Sequence, residues 1–252
     1  MSTHLFFTDA HAHYEHRNDR AIWLGELIHE LRPDVVIDGG DTADMPSLSG
    51  YDKGTRAAVG RTYHKDIEAH NDFQDKLWQR SRHSKKKLPR RVRLIGNHEQ
   101  RIDRALDAAP TLEGTVSYKD LLLDQYYDTV IHYNGNTPGV IDIDGVLYSH
   151  YFTSGNMGRP VGGEHSAYTL LAKKHRSCTQ GHSHILNLHP GKDASGKELW
   201  GLIGPAFMDY KCDWAGQPQE QWHHGVIIKR NVEKGHYSPQ YVSIEELKKK
   251  YG

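Results

Sequence analysis

Short β-rich runs alternate with longer helical patterns in the first half of this chain, and that alternation restricts the fold more than any other feature. His4–Leu5–Phe6–Phe7–Thr8 reads as a buried strand ending at Asp9, and 34–38 and 91–95 read as two more, closed by Gly39–Gly40 and by Gly96. Between them, Ala21, Leu24, Leu27, Ile28 and Leu31 recur at helical spacing until Pro33. The spacing predicts a polar helix over roughly 56–80 with Ile67, Phe73, Leu77 and Trp78 as its apolar stripe, and another over 100–108 closed by Pro110. Strands alternating with helices imply βαβ units and a mostly parallel sheet. In the second half, 140–148 alternates around Asp144–Gly145 as a hairpin, 167–174 reads as a helix, and 177–180, 199–203 and 225–229 read as strands. The chain shows no internal repeat. It divides into one domain over 1–244, with a helical insert at about 45–87, and a polar tail over 245–252.

Composition excludes several alternatives. A chain of 252 residues that is 37% hydrophobic can bury one core. Lys+Arg and Asp+Glu both number 32, so whole-chain charge argues for neither a polyanion nor a membrane partner. Cys178 and Cys212 alone cannot form a disulfide framework or a four-cysteine zinc site, and read as small buried hydrophobes. The first residues lack a basic head and a long apolar stretch, and no run approaches a membrane span, so a cytoplasmic setting is expected. The 19 histidines stand out, because imidazole is the commonest metal ligand and the physiological proton carrier.

The polar residues collect just past the ends of the predicted strands, where open α/β sheets build their sites. They are Asp9–Ala10–His11, Gly40–Asp41–Thr42–Ala43–Asp44, Gly96–Asn97–His98–Glu99, Ser149–His150 and Gly181–His182–Ser183–His184. Any one block alone would be read as satisfied surface or loop residues. Together, in this order, D-x-H, G-D-x-x-D, G-N-H-E, H and G-H-x-H resemble the calcineurin-like metallophosphoesterase superfamily. That resemblance implies an α/β fold (α+β by some schemes), a sandwich of two mixed β-sheets flanked by helices with its site at the strand C-terminal ends.

It also implies a chemistry. Two divalent ions about 3.5–4 Å apart can clamp the attacking and leaving oxygens of a phosphoryl displacement. By resemblance, the first ion takes Asp9, His11, Asp41 and His184. The second takes Asp41, Asn97, His150 and His182, with a bridging hydroxide as nucleophile. Manganese is favoured for mixed nitrogen and oxygen donors, with zinc, iron, nickel and magnesium as alternatives. His98 resembles the catalytic histidine that protonates the leaving oxygen, and Asp44 its orienting carboxylate, while a helix cap or loop role stands beside that reading of Asp44. Glu99 reads as a cap on the following helix. The substrate class is a phosphate ester, with a phosphodiester of the nucleotide or nucleic-acid kind favoured. A phosphomonoesterase, a mononuclear zinc hydrolase and a catalytically silent metal-binding scaffold are the rivals. His11–Ala12 and Asp44–Met45–Pro46 replace the Gly and Arg-Gly of the protein phosphatase branch, and the long insert resembles those of bacterial and phage-encoded members.

Other residues carry weaker expectations. Arg101 can hold a substrate phosphate or make a surface salt bridge, with Arg104 one turn on. His13 can touch substrate or lie on the surface, as can its neighbour His16. The glycine-rich 155–163 loop can cover the site with Arg159 on a phosphate, or serve no such role. Phe207, Tyr210, Trp214 and Trp222 can stack bases, though packing explains them equally. The run Arg80, Arg82, Lys85, Lys86, Lys87, Arg90, Arg91 and Arg93 contains no acid and offers a nucleic-acid track, against a solvated loop before a strand. Oligomeric state is not legible.

Overall fold

A computed structural model describes residues 1–85, 87–212 and 215–252, so Lys86 and Trp214 lie outside the described residues. Strand β1 (Ser2–Phe7) leads to helix α1 (Asp19–Leu31) and β2 (Val35–Asp38). Helix α2 (Tyr63–Arg82) precedes β3 (Arg90–Leu94), and α3 (Arg101–Ala108) and the single turn α4 (Leu123–Tyr126) precede β4 (Thr129–Ile131). A hairpin of β5 (Ile141–Ile143) and β6 (Val146–Tyr148) follows, then a two-residue pair, β7 (Thr153–Ser154) and β8 (Arg159–Pro160). Helix α5 (Ser166–Lys174) leads to β9 (Cys178–Gln180), β10 (Asn187–Lys192), β11 (Glu198–Ile203), β12 (Gly225–Glu233), β13 (His236–Ser243) and α6 (Ile244–Tyr251).

The larger sheet has the order β13-β12-β1-β2-β3-β4, and the smaller one β10-β11-β9-β6-β5. β1 to β4 run parallel, as do β11, β9 and β6, while β12, β13, β10 and β5 join antiparallel. The two mixed sheets expected from the motifs are present. The mostly parallel pattern holds inside each sheet and fails at the edges.

β1 and β2 are buried on both faces, which is why they read as unbroken apolar runs. Phe6, Ile37, Val92 and Ile227 meet Val146, Tyr148 and Leu202 between the sheets. Leu5, Phe7 and Val36 face outward onto Leu24, Ile28, Phe73, Leu77 and Trp78 of α1 and α2. α2 starts at Tyr63 rather than near 56, where the Thr62 hydroxyl accepts the Lys65 N–H at 3.4 Å. Its apolar stripe makes it part of the core. The polar tail over 245–252 is helical and packs on the core. It forms α6, whose Ile244 and Leu247 are buried in the larger core, with Lys250 2.6 Å from Glu30 of α1. Strands β10 and β13 escaped the sequence reading because each contains a proline, Pro190 or Pro239. Both are edge strands, where a missing N–H is tolerated. β4 escaped because it is three residues long and half-buried. Among the described residues, no helix is long and apolar enough to cross a membrane.

Candidate metal centre

The five polar blocks come together at one rim of the sandwich. Their backbone is unusual. Asp9, His11, Asp41, His182 and His184 have φ of 52°, 43°, 52°, 70° and 61°. For non-glycine residues the left-handed region costs about 1–2 kcal/mol each, so it persists only where surrounding structure imposes it. Here the loops impose it on one another. The Asp9 and His11 N–H groups donate to the carbonyls of Gly40 and Asp41 at 2.9 and 3.0 Å. The His182 N–H donates to Asp9 Oδ2 at 2.9 Å, and the His98 N–H to Asp41 Oδ1 at 2.8 Å. Two motif glycines make this approach feasible. A Cβ on Gly181 would lie 2.4 Å from Asp9 Oδ2, and one on Gly96 2.1 Å from Asp41 Oδ1.

Three sets of donors converge: Asp9, His11 and His184; His11, Asp41 and His98; and Asp41, His150 and His182, with the ligand atoms of each set within 4.8 Å of one another. In the first, His184 Nε2 is 3.2 Å from Asp9 Oδ1 and 3.3 Å from His11 Nε2. In the third, His150 Nε2 is 3.3 Å from Asp41 Oδ2 and 3.0 Å from Asn97 Oδ1. Two imidazole nitrogens facing each other can share only one proton, and the carboxylates beside them add negative charge. A divalent cation satisfies such a donor set, so these groups could hold metal. Outer contacts fix the rings for it. His11 Nδ1 lies 2.9 Å from Asp44 Oδ1 and His150 Nδ1 2.9 Å from the Gly39 carbonyl. A proton on either Nδ1 leaves Nε2 with its lone pair.

Asp44 serves two histidines rather than His98 alone. His98 Nδ1 is 2.7 Å from the Asp44 carbonyl and 3.1 Å from its Oδ1, while His98 Nε2 is 3.2 Å from Arg101 Nη2. Burial opposes charge on Asp9, Asp41 and Asp44. The imidazoles around them outweigh it and hold all three below the usual carboxylate range. Burial pulls His150 down, but Asp41 and then Asp9 push it up to about 9. His98 is likewise raised, burial and Arg101 opposing Asp41 and Asp44. Burial, then His150, lowers His182 to about 4.

Glu99 is not the helix cap expected of it. α3 begins after Gln100, and Glu99, fully buried, instead accepts the N–H groups of Gly96, Asp41 and Ala43 at 2.9, 3.0 and 2.8 Å. It also pairs with Arg93, which is held between Glu99 and Asp38. Arg20 and Tyr210 were missed as organisers of the rim. Buried Arg20 donates to the Ala10 and Phe207 carbonyls at 2.8 and 3.1 Å. The Tyr210 hydroxyl donates to the His11 carbonyl, and its ring stacks on His16 at 3.8 Å. The signal for Arg20 was legible, a lone charge on the apolar face of α1.

Of the weaker expectations, Arg101 makes no salt bridge among the described residues and is part-buried. It donates to the Asp44 and Met45 carbonyls at 2.8 and 3.1 Å. Arg104 donates to Gln100 at 2.8 Å. His13 stacks on Tyr14 at 4.3 Å, and burial lowers its imidazole. Arg159 is exposed on β8, with no bond to the cluster among the described residues. Phe207 belongs to the core, and Trp222 sets its ring edge-on to His184 at 4.3 Å. Of the basic run, Lys85, Lys87 and Arg90 are exposed. Arg93 is buried, and Arg91, Arg82 and Arg80 pair with Asp128, Asp75 and Glu26.

No family model and no curated protein matches the chain. Solved structures do. A conserved uncharacterized protein and predicted phosphoesterase from Streptococcus pneumoniae TIGR4 is 11% identical over 97% of this chain and 90% of its own, with a TM-score of 0.38. The phosphoesterase Yfce from E. coli is 13% identical over 96% of this chain and 99% of its own, also with a TM-score of 0.38.

Proposed function

We propose that this chain is a calcineurin-like metallophosphoesterase that hydrolyses a phosphodiester with two divalent ions, manganese favoured. The observation that carries the reading is Asp41, which belongs to two donor sets, one with His11 and one with His150 and His182. Asp9, His11, Asp41 and His184 would hold one ion, and Asp41, Asn97, His150 and His182 the other. When bound, such a pair supplies Lewis-acid charge to the phosphoryl group and acidifies a water. The chain supplies the rest. Asp44 anchors His98 through Nδ1, which leaves Nε2 to carry a proton to the leaving oxygen. Arg101, fastened to the carbonyls of Asp44 and Met45, holds its guanidinium beside that Nε2. Burial of Arg93 and the pairing of Arg80, Arg82 and Arg91 with carboxylates favour a small diester over a nucleic-acid strand.

The test compares Mn²⁺-dependent hydrolysis of a phosphodiester, a phosphomonoester and single- and double-stranded DNA, before and after chelation. Diester cleavage without DNA cleavage is expected, and a preference for the monoester would overturn the diesterase reading. His98→Ala is expected to lower turnover about 10²–10⁴-fold with metal content unchanged by elemental analysis. Loss of metal from that variant would make His98 a ligand, in keeping with its place beside His11 and Asp41.

A further inference from the structure

One strand of the larger sheet delivers residues to the rim that no motif announces. β4 runs parallel to β3, with Ile131 opposite Leu94 and the Ile131 carbonyl accepting the Ile95 N–H at 3.0 Å. The two chains leave the sheet side by side, so His132 and Tyr133 exit next to Gly96 and Asn97. The Tyr133 ring stands edge-on to Tyr151 at 6.5 Å. Tyr151 follows His150 directly, and its ring lies 4.8 Å from His182 and 5.7 Å from His150. Two phenols thus line the side of the rim formed by Asn97, His150 and His182.

The Tyr133 hydroxyl is buried, with the Tyr151 phenol as its hydrogen-bonding neighbour. Two phenols that face one another share one O–H and leave the other to donate, and a donor left over beside a site points to a ligand that completes it. Burial first, then the Tyr151 phenol and the Asp41 carboxylate, raise Tyr133 well above the usual phenol range, with Arg104 opposing. The group therefore stays protonated and acts as a donor, never as a base. Its complement is an anionic oxygen.

We infer that Tyr133 and Tyr151 form a donor pair that binds a non-bridging oxygen of the phosphate ester beside Asn97, His150 and His182. This rests on the phosphoesterase reading and adds to it a recognition element from the strand β4. The pair acts on binding, so its loss raises KM more than it lowers kcat.

The test uses the full chain loaded with Mn²⁺, as wild type, Tyr133→Phe and Tyr151→Phe. Binding of inorganic phosphate is followed by calorimetry and diester hydrolysis by kcat and KM, with metal content and Tm read in parallel. Tyr133→Phe is expected to weaken phosphate binding and raise KM about tenfold, the effect of losing one hydrogen bond to a charged group. Metal content should not change, and Tm should move little. Tyr151→Phe should act in the same direction. Unchanged phosphate affinity and KM in both variants, with wild-type hydrolysis intact, would overturn the pair and leave the phosphoesterase reading standing. Weakened phosphate binding in a chain that hydrolyses no ester would uphold the pair and overturn that reading. A wild-type chain that neither binds phosphate nor hydrolyses would overturn both.

Discussion

Strand β1 has buried polar groups at both ends, and the two ends treat charge differently. Near its start, Lys229 on the neighbouring β12 is fully buried with Nζ against the Tyr148 and Thr179 hydroxyls and over the Tyr148 and Tyr237 rings at 4.3 and 4.6 Å. Among the described residues it has no salt bridge, and burial holds its amine well below the usual lysine range. His4 is buried beside it, 2.8 Å from the Tyr148 hydroxyl and 3.0 Å from Asp144. Beyond the other end of β1, burial also opposes charge on Arg93, but Asp38 and Glu99 override it and keep the guanidinium charged. At the rim, the ion pairs of Asp9, Asp41 and Asp44 among the described residues are with imidazoles. Carboxylates around a buried cation sustain its charge, and hydroxyls around one leave burial to oppose it. The rim has carboxylates to spare, and the start of β1 has none for Lys229.

The comparison can be broken in four places. Asp41→Asn should do the most, lowering ester hydrolysis about a thousandfold or more and stripping bound metal, because the shared carboxylate loses its charge. Elemental analysis beside the kinetics checks it, and retained metal would show that the rim does not depend on this carboxylate. Glu99→Ala should cost about 3–5 kcal/mol in denaturant unfolding, since it strands buried Arg93 and frees three backbone N–H groups. A cost near zero would mean that Asp38 alone sustains the cation.

At the start of β1 the effects are smaller and depend on pH. Burial first, then Lys229, lowers His4 from 6.5 to about 4 against the pull of Asp144. The unfolded chain therefore takes up this proton first, so stability is full above pH 6.5 and falls as pH drops toward 4, by about 3 kcal/mol for this group. His4→Gln should lack that component, and parallel unfolding curves for variant and wild type between pH 4 and 7 would refute it. Lys229→Met should shift stability at pH 7 toward the stable side, because burial opposes the charge on this amine and an uncompensated buried polar group gives way to an apolar one. The gain should shrink as pH rises toward 10, where the unfolded lysine also begins to lose its proton. A gain independent of pH would mean that Lys229 is charged in the fold.

The sequence reading fared best where the information is local. Each polar block is a few residues long and directly follows a strand, and β1 and β2 before the first two are apolar on both faces, so block and strand announce one another. It fared worst where a residue's role depends on a distant partner. Glu99 looked like a helix cap because only the fold brings the Asp41 and Ala43 amides to it. Arg93 looked like part of a basic surface because Asp38 lies far upstream in the chain. Tyr133 went unnoticed because the strand that delivers it is three residues long, and Pro190 and Pro239 concealed two edges whose lost N–H groups the sheets do not need.

The left-handed backbone at Asp9, His11, Asp41, His182 and His184 has a consequence for anyone reshaping this protein. Glycine accepts that conformation freely, so exchanging any of the five for glycine removes a tension while it removes a donor atom. Alanine would remove only the donor, and asparagine in place of either aspartate would alter charge with little disturbance of the chain's path. A library sorted purely for heat resistance, with no assay of chemistry, should therefore accumulate glycine at these five places and trace the outline of the working rim from the variants that no longer work.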